Sequence, residues 1–154
     1  MTRGALAIDV PTAEDMRQLG RAIGEVAQAG DRFLLEGPFG AGKTTFVQGL
    51  AQGLGVTTPV GSPSFVIETQ YTSGRLVLYH VDLYRLDGIE PELLESFEEH
   101  LFGEGVSAVE WAERLPEALR AGATVLRFVT CEENGRRIEL TTCNERIRQA
   151  ASAG

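Results

Sequence analysis

Residues 37–44 read GPFGAGKT and match the phosphate-loop pattern G-x-x-x-x-G-K-[ST] at every fixed position. In this pattern backbone N–H groups surround phosphates, the lysine reaches the β- and γ-phosphates, and the hydroxyl lies where Mg²⁺ binds. This glycine-rich loop holds the only lysine among the 14 Lys and Arg residues of the chain. A compact ammonium fits between phosphates where a planar guanidinium does not. The motif therefore predicts a nucleoside triphosphate site, formed by Gly37, Gly40, Ala41, Gly42, Lys43, Thr44 and Thr45.

The segments on either side of the glycine-rich loop have the order that a phosphate loop requires. Residues 32–36 form a short apolar run of strand type. Apolar residues between 46 and 54 repeat at helical spacing, and Gly55 follows as a stop signal. A helix that begins at the loop would add the partial positive charge of its N-terminus to the phosphate site.

The remaining segments alternate between helices and strands and predict one α/β domain. Thr12 and Asp15 form a capping box at the start of an amphipathic helix. Further patterns predict strands at 65–69 and 76–81, a helix at 92–102, a strand at 106–109, a short helix at 116–121 and strands at 124–131 and 136–142. We expect a single P-loop NTPase domain over residues 1–143, with a mixed central sheet flanked by helices. Residues 144–154 are polar and small and predict a flexible C-terminal tail.

The last two strands predict a hairpin, because Asn134-Gly135 is typical of a two-residue turn. That turn would pair Glu133 with Arg136 and leave Cys131 about 17 Å from Cys143, at ~3.4 Å per residue. A disulfide does not fit this distance, so we expect two reduced thiols.

Composition excludes several classes of function. The net charge of −8 argues against binding to nucleic acid by this chain alone, because phosphate neutralisation needs a basic face. No apolar run approaches the ~18 residues of a membrane span, and residues 1–10 do not resemble a secretory leader. We expect a cytoplasmic protein with no membrane contact.

Two carboxylates follow apolar strands and are the candidate catalytic residues. Asp82 ends the run 76–81, and Glu110 ends the run 106–109. In open α/β sheets ligands bind at the carboxyl edge, where such acids would hold Mg²⁺ and orient water. His80 points to the same side of its strand as Asp82, where it orients that acid, touches a phosphate, or is a half-buried, hydrogen-bonded imidazole. His100, in a Glu-rich helix, is expected at the surface.

Three further residues are accessory candidates, each with an ordinary alternative. Trp111 follows Glu110 and is either a core anchor or a lid over the site. Ser64 lies in a Ser-Pro-Ser segment that is either nucleotide-sensing or a simple proline turn. Arg85 contacts a phosphate or a partner, or forms a structural ion pair.

Taken in order, GPFGAGKTTF at 37–46, SPS at 62–64, HVDLYR at 80–85 and EW at 110–111 resemble the TsaE family, formerly YjeE. These small ATPases act in bacterial tRNA threonylcarbamoyladenosine biosynthesis, and the match runs from about residue 12 to residue 111. The resemblance implies binding of ATP or ADP with Mg²⁺ and weak ATPase activity alone. It also implies association with the TsaB–TsaD pair, which installs threonylcarbamoyl on A37 of ANN-reading tRNAs. Because of the net charge, we expect no direct tRNA binding by this chain alone.

Carried over to these positions, the resemblance implies that Lys43 holds phosphates, that Thr44 and Glu110 serve the metal, and that Asp82 serves the hydrolytic site. It also implies that residues 12–14 approach the base.

The chain departs from the family pattern at residues 38–39, which are Pro-Phe in place of Asp-Leu, and at Ser64 in place of Thr. These changes leave phosphate binding intact but put the tuning of hydrolysis in doubt. After Trp111 no motif matches, so Arg136 and Arg137 are candidates for phosphate or partner contacts on charge alone.

Two other functions remain open from the residues. A small-molecule kinase would need an arginine-bearing lid, for which Arg114 and Arg120 are the candidates. A nucleotide-gated binding module would use ATP to control assembly without significant turnover. A GTPase is disfavoured, because the chain has no Asn-Lys-x-Asp stretch and no Asp-x-x-Gly after a strand.

Overall fold

Seven strands of the described residues form one mixed sheet with helices on both faces. The structure is a computed structural model and describes residues 6–38, 40–61, 68–83, 91–131, 135–141 and 144–152. The strands are β1 (Leu6–Asp9), β2 (Arg32–Glu36), β3 (Glu68–Tyr71), β4 (Leu78–Asp82), β5 (Val106–Glu110), β6 (Thr124–Thr130) and β7 (Arg136–Thr141). The helices are α1 (Ala13–Val26), α2 (Lys43–Gly53), α3 (Pro91–Leu101) and α4 (Glu145–Ser152), with 3₁₀ turns at Ala112–Arg114 and Glu117–Leu119. The predicted α/β fold with a mixed sheet is confirmed.

The order of the strands brings the predicted site residues to one edge. The strands lie in the order β1-β7-β6-β2-β5-β4-β3. β2 pairs in parallel with β5 and β6, and β4 pairs in parallel with β5. Carboxyl ends of parallel strands meet at the same edge of a sheet. The glycine-rich loop therefore begins at the edge where Asp82 and Glu110, which are register partners, end their strands.

Alternate side chains of the sheet supply two cores. Phe33 and Leu35 of β2 pack on the face covered by α1, α2 and α4, whereas Leu34 packs on the face covered by α3 and the 3₁₀ turns. Helix α1 approaches α2 so closely that a Cβ added at Gly49 would lie 2.1 Å from the carbonyl oxygen of Arg17. This contact sets the spacing between α1 and α2. No helix in the described ranges has the length and apolar character needed to cross a lipid bilayer.

The C-terminal segment differs from the predicted flexible tail. Residues Glu145–Ser152 form α4, in which Ile147 and Ala151 are buried in the core beside α1. Arg146 adds an ion pair with Asp31 at 3.0 Å. The sequence conceals this helix because one Ile and one Ala four residues apart are a weak apolar signal in a polar stretch. The prediction of a tail is therefore wrong for residues 145–152.

The β6–β7 hairpin is present, but its register differs from the prediction. Thr130 lies opposite Arg136, so the predicted pairing of Glu133 with Arg136 is wrong by three positions. The observed register sets Phe128 opposite Ile138, and both are buried. A shift by an odd number of residues would turn one of these apolar faces toward solvent. Burial of the apolar face, rather than the Asn-Gly signal, fixes the register.

The outer part of the sheet contains a strand that the sequence analysis does not predict. β1 pairs antiparallel with β7, and the backbone N–H of Val10, just after β1, donates to the carbonyl oxygen of Arg136 at 2.8 Å. Cys131, at the end of β6, is an exposed free thiol, as expected, and Cys143 lies outside the described residues. β1 thus ties the start of α1 to the start of β7.

Candidate active site

The glycine-rich loop joins the carboxyl end of β2 to the N-terminus of α2, which begins at Lys43. Gly40 and Gly42 have φ angles of 73° and 102°, which residues with a Cβ rarely adopt. A Cβ at Gly42 would also lie 2.8 Å from Cε of Met16 on α1. Ala41, between the two glycines, is buried in the core. The loop is therefore held between α1 and the sheet, with the N-terminal N–H groups of α2 at its end.

A cleft of about 300 Å³ lies at the glycine-rich loop. Its walls come from the first turn of α1, the loop and the start of α2, the ends of β4 and β5, and the start of β7. The lining residues are Thr12, Ala13, Met16, Gly40, Gly42, Lys43, Thr44, Thr45, Asp82, Glu110, Trp111 and Arg136. Most of the predicted site residues thus share one cleft.

Lys43 is a buried cation in the cleft wall, with only 5% of its surface exposed. Its Nζ donates to the carbonyl oxygen of Gly37 at 2.5 Å and lies 3.7 Å from the ring centroid of Trp111. Burial lowers the pKa of the Lys43 ammonium, and the negative charges of Glu110, Glu113 and Asp82 oppose that shift. The ammonium therefore has carboxylates near it and an aromatic face beneath it.

Glu110 is a buried acid that connects β5 to the glycine-rich loop. Both of its carboxylate oxygens lie 3.3 Å from Oγ1 of Thr44, the second residue of α2. Its Oε2 also lies 2.5 Å from Nε2 of His80. Asp82 lies opposite Glu110 in the register of β4 and β5. A hydroxyl and two carboxylates are thus grouped beside Lys43.

The two histidines occupy different environments from those predicted. Of the three alternatives for His80, the hydrogen-bonded imidazole fits best, but the side chain is fully rather than half-buried and its contact is with Glu110. His100, predicted at the surface, is partly buried: its Nδ1 lies 2.7 Å from Oε2 of Glu68, and its ring stacks on Tyr79. His100 is partly covered because α3 lies beside β3 and β4, whereas His80 meets Glu110 because β4 pairs with β5. No local pattern reveals either arrangement.

Trp111 lies between the core and the cleft. Its side chain packs partly against the core on the α3 face and also forms part of the cleft wall. Its φ of 57° is left-handed, and among the described residues it is the one residue other than glycine with positive φ. Such a conformation costs about 1 to 3 kcal/mol and persists where surrounding contacts enforce it. The strained residue lies directly after Glu110.

Some candidates lie elsewhere in the structure or outside its described part. Ser64 and Arg85 lie outside the described residues, as does the side chain of Arg114. Arg120 forms an ion pair with Glu36 and donates to the carbonyl oxygen of Ala112. The arginine that was the other candidate for a kinase lid is therefore engaged within the domain.

Arg136 is a cleft residue that the sequence analysis considers only by its charge. Its Nε and Nη2 donate to the carbonyl oxygen of Gly40 at 3.1 and 2.8 Å. Its neighbour Arg137 instead pairs with Asp9 on the exposed surface, which raises the pKa of Arg137 through the hydrogen bond and the charge of Asp9. The alternation of side chains along β7 separates the two arginines, but only the sheet order shows which of them meets the loop.

Comparison with known proteins gives a consistent relationship. A family model described as threonylcarbamoyl adenosine biosynthesis protein TsaE matches residues 10–138. The tRNA threonylcarbamoyladenosine biosynthesis protein TsaE of Nostoc sp. is 42% identical over 137 residues, which are 85% of this chain and 82% of the relative. The protein of the same name from Bacillus subtilis is 37% identical over 133 residues, 86% of this chain and 83% of the relative.

A solved structure agrees with these sequence matches. The crystal structure of Bacillus subtilis YdiB matches with a TM-score of 0.81 and 32% sequence identity, and the match covers 99% of this chain and 95% of the other. The family model also extends past Trp111, where the motifs recognised in the sequence end. The family model matches most of the chain, and these relatives are similar to more than four fifths of it. The chain therefore belongs to the TsaE family.

Proposed function

We propose that this chain binds ATP with Mg²⁺ and hydrolyses it to support the TsaB–TsaD complex in threonylcarbamoylation of tRNA A37. The observation that carries the proposal is the cleft in which Lys43, Thr44 and Glu110 lie together at the end of the glycine-rich loop. A polyphosphate needs N–H donors and a cation on one side and a metal with hard oxygen ligands on the other. This cleft has the donors and the cation of Lys43, and its Thr44 and Glu110 oxygens are suitable ligands for such a metal.

Lys43 and the N–H groups at the start of α2 would hold the phosphates. The ammonium donates to Gly37 at the base of the loop, and a flexible four-carbon chain allows it to exchange that carbonyl for a phosphate oxygen. Burial lowers the pKa of Lys43, and the negative charge of a bound polyphosphate would raise that pKa again. Binding and protonation of Lys43 therefore favour each other.

Thr44 and Glu110 would hold Mg²⁺, and their oxygens fit its preference for hard ligands. The described residues contain no group of three or more His, Cys, Asp or Glu that could hold a metal by itself. That agrees with Mg²⁺, which is usually bound by one or two protein ligands together with phosphate oxygens and water. When bound, the ion neutralises charge on the β- and γ-phosphates.

Asp82 is the second acid at this edge and is proposed to orient the attacking water. It lines the cleft and lies opposite Glu110, so both acids reach the same side of the sheet. Hydrolysis of this kind depends on positioning more than on covalent chemistry, which a rigid parallel sheet can supply. Trp111 beneath Lys43 would limit the access of other solvent.

The part of the proposal that concerns partners rests on the family and on charge. Relatives are named as tRNA threonylcarbamoyladenosine biosynthesis proteins. With a net charge of −8 this chain is a poor ligand for tRNA by itself, so its role would be exerted through TsaB and TsaD. The free energy of ATP would then act through a conformational change shared with the partners.

Calorimetry of ATP binding tests the first step. Lys43→Ala should weaken ATP binding at least about tenfold, equal to about 1.4 kcal/mol, because charge-assisted hydrogen bonds to phosphate are lost. Arg137→Ala removes one exposed cation outside the cleft and is the matched control. Equal affinities of wild type and Lys43→Ala would contradict the proposed phosphate site.

Binding of the partners tests the second step. ATP should change the affinity for the TsaB–TsaD pair, and by linkage the pair must change the affinity for ATP by the same factor. ATPase activity should rise when the pair is present. Coupled binding without any turnover would instead indicate a nucleotide-gated binding module, and equal ATP affinities with and without the pair would exclude the coupling.

A further inference from the structure

His80 is a buried histidine directly behind Glu110. None of its side-chain surface is exposed, against 5% for Glu110, and Nε2 lies 2.5 Å from Oε2 of that acid. In the register of β4 and β5, His80 lies opposite Ala108, two residues before Glu110. The imidazole and the carboxylate of Glu110 therefore meet across the paired strands, next to the small side chain of Ala108. The histidine therefore contacts the acid from the side of the protein interior, while Thr44 contacts it from the loop.

The contacts of the imidazole assign its tautomer. Nε2 faces a carboxylate, which only accepts hydrogen bonds, so Nε2 carries the proton and donates. The other nitrogen, Nδ1, is buried and has no hydrogen-bond partner among the described residues. A buried polar atom without a partner costs free energy, and an apolar side chain of similar volume would avoid that cost. Packing alone thus gives no reason for a histidine at this position.

We propose that His80 is a positioning residue, which holds the carboxylate of Glu110 in the orientation that serves the metal together with Thr44. This inference rests on the proposed function. A carboxylate fixed on one side by the Nε2–H of His80 loses rotational freedom, and its remaining lone pairs are directed toward the glycine-rich loop. Mutation of a residue that holds a metal-binding carboxylate in this way typically lowers metal affinity about 10- to 100-fold. His80 itself touches neither the nucleotide nor the metal.

The test compares ATP affinity in EDTA with ATP affinity in excess Mg²⁺, both measured by calorimetry. The ratio of the two gives the gain from the metal, separately from phosphate binding by the loop. His80→Met fills the space without a donor, and His80→Asn has an amide too short to reach Glu110. The amide nitrogen of His80→Gln lies one carbon further out and can replace Nε2. His100→Met, at the other histidine, is the control.

We expect His80→Met and His80→Asn to keep the affinity measured in EDTA and to lose about 10-fold or more of the metal gain. His80→Gln should retain most of it, and His100→Met should retain all of it. A wild-type metal gain in His80→Met or His80→Asn would overturn the proposal. So would an equal loss in His80→Gln, because the donor would then be irrelevant. Near-UV circular dichroism identifies variants that do not fold, and the remaining variants still decide the question.

A double variant tests whether His80 acts through Glu110. If it does, His80→Met combined with Glu110→Gln should lose no more of the metal gain than Glu110→Gln alone. Fully additive losses would overturn the proposal. Failure of the proposed function would be visible earlier, since wild-type protein would then bind no ATP in either buffer, whereas failure of this inference leaves wild-type binding intact.

Discussion

Replacing Arg136 by alanine should weaken ATP binding by releasing the glycine-rich loop from β7. Arg136 donates two hydrogen bonds to the carbonyl oxygen of Gly40, at 3.1 and 2.8 Å. Gly40 lies inside the loop with a φ of 73°, and the Cδ of Arg136 lies 3.7 Å from the position of a Cβ at Gly42. Arg136 therefore fixes the orientation of the Gly40 carbonyl and packs next to Gly42 at the start of α2. In its absence the loop would be less ordered before ATP binds, and part of the binding free energy would be used to order it.

The size of the effect follows from these bonds. Hydrogen bonds to a charged group contribute about 1.5 to 3 kcal/mol when buried. Arg136 lies on the wall of an open cleft, so water replaces part of this contribution, and we expect a net loss of about 1 to 1.4 kcal/mol. That corresponds to roughly five- to tenfold weaker ATP binding.

Calorimetry with ATP checks this value, and Arg137→Ala is the matched control. The two arginines are adjacent, but Arg137 pairs with Asp9 on the exposed surface and does not line the cleft. Arg137→Ala should bind ATP within about twofold of wild type, since one distant exposed charge is screened by salt. Unchanged affinity in Arg136→Ala would refute the reasoning. An equal loss in both variants would show that overall charge, rather than the contact with the loop, had been removed.

Further predictions concern catalysis and folding. Glu110→Gln should still bind ATP, but its ATP turnover with TsaB–TsaD should fall about 100-fold. Asp82→Asn should behave similarly. Normal hydrolysis by either variant would show that the residue is not catalytic. Ile147→Ala should lower the free energy of unfolding in urea by about 2 to 4 kcal/mol, whereas the exposed Gln149→Ala should not. Equal stability of the two variants would mean that α4 does not pack. Gly49→Ala should reduce stability by about 1 to 3 kcal/mol, since its Cβ would meet the backbone of α1, and an unchanged urea midpoint would contradict that contact.

The loop and the strand-end acids could be predicted because each depends on a short stretch of sequence. All the phosphate-binding residues of the pattern at 37–44 are adjacent in the sequence, and Asp82 and Glu110 directly follow apolar runs. The sheet then needed only parallel pairing of β2, β4 and β5 to bring them together.

The contacts that support the site depend on strand order, which local sequence does not contain. Arg136 meets Gly40 because only β6 lies between β7 and β2 in the sheet, although 96 residues separate Arg136 from Gly40 in the sequence. His80 meets Glu110 because β4 and β5 are neighbours and His80 lies opposite Ala108, two residues before Glu110. Helix α4 was not predicted for a different reason: its buried face consists only of Ile147 and Ala151, which is a weak apolar pattern.

The position of β2 in the sheet has a consequence for synthesis of the chain. β2 is flanked by β5 and β6, both of which begin after residue 105, so the strand that leads into the glycine-rich loop has no partner while the first hundred residues emerge. Phe33, Leu34 and Leu35 are fully buried in the finished sheet and would be open to other chains until then. A chain interrupted before β5 would therefore carry the whole phosphate-loop motif and yet be insoluble. Expression of fragments that end before and after β6, followed by sedimentation, would show where the nascent chain first becomes able to protect its central strand.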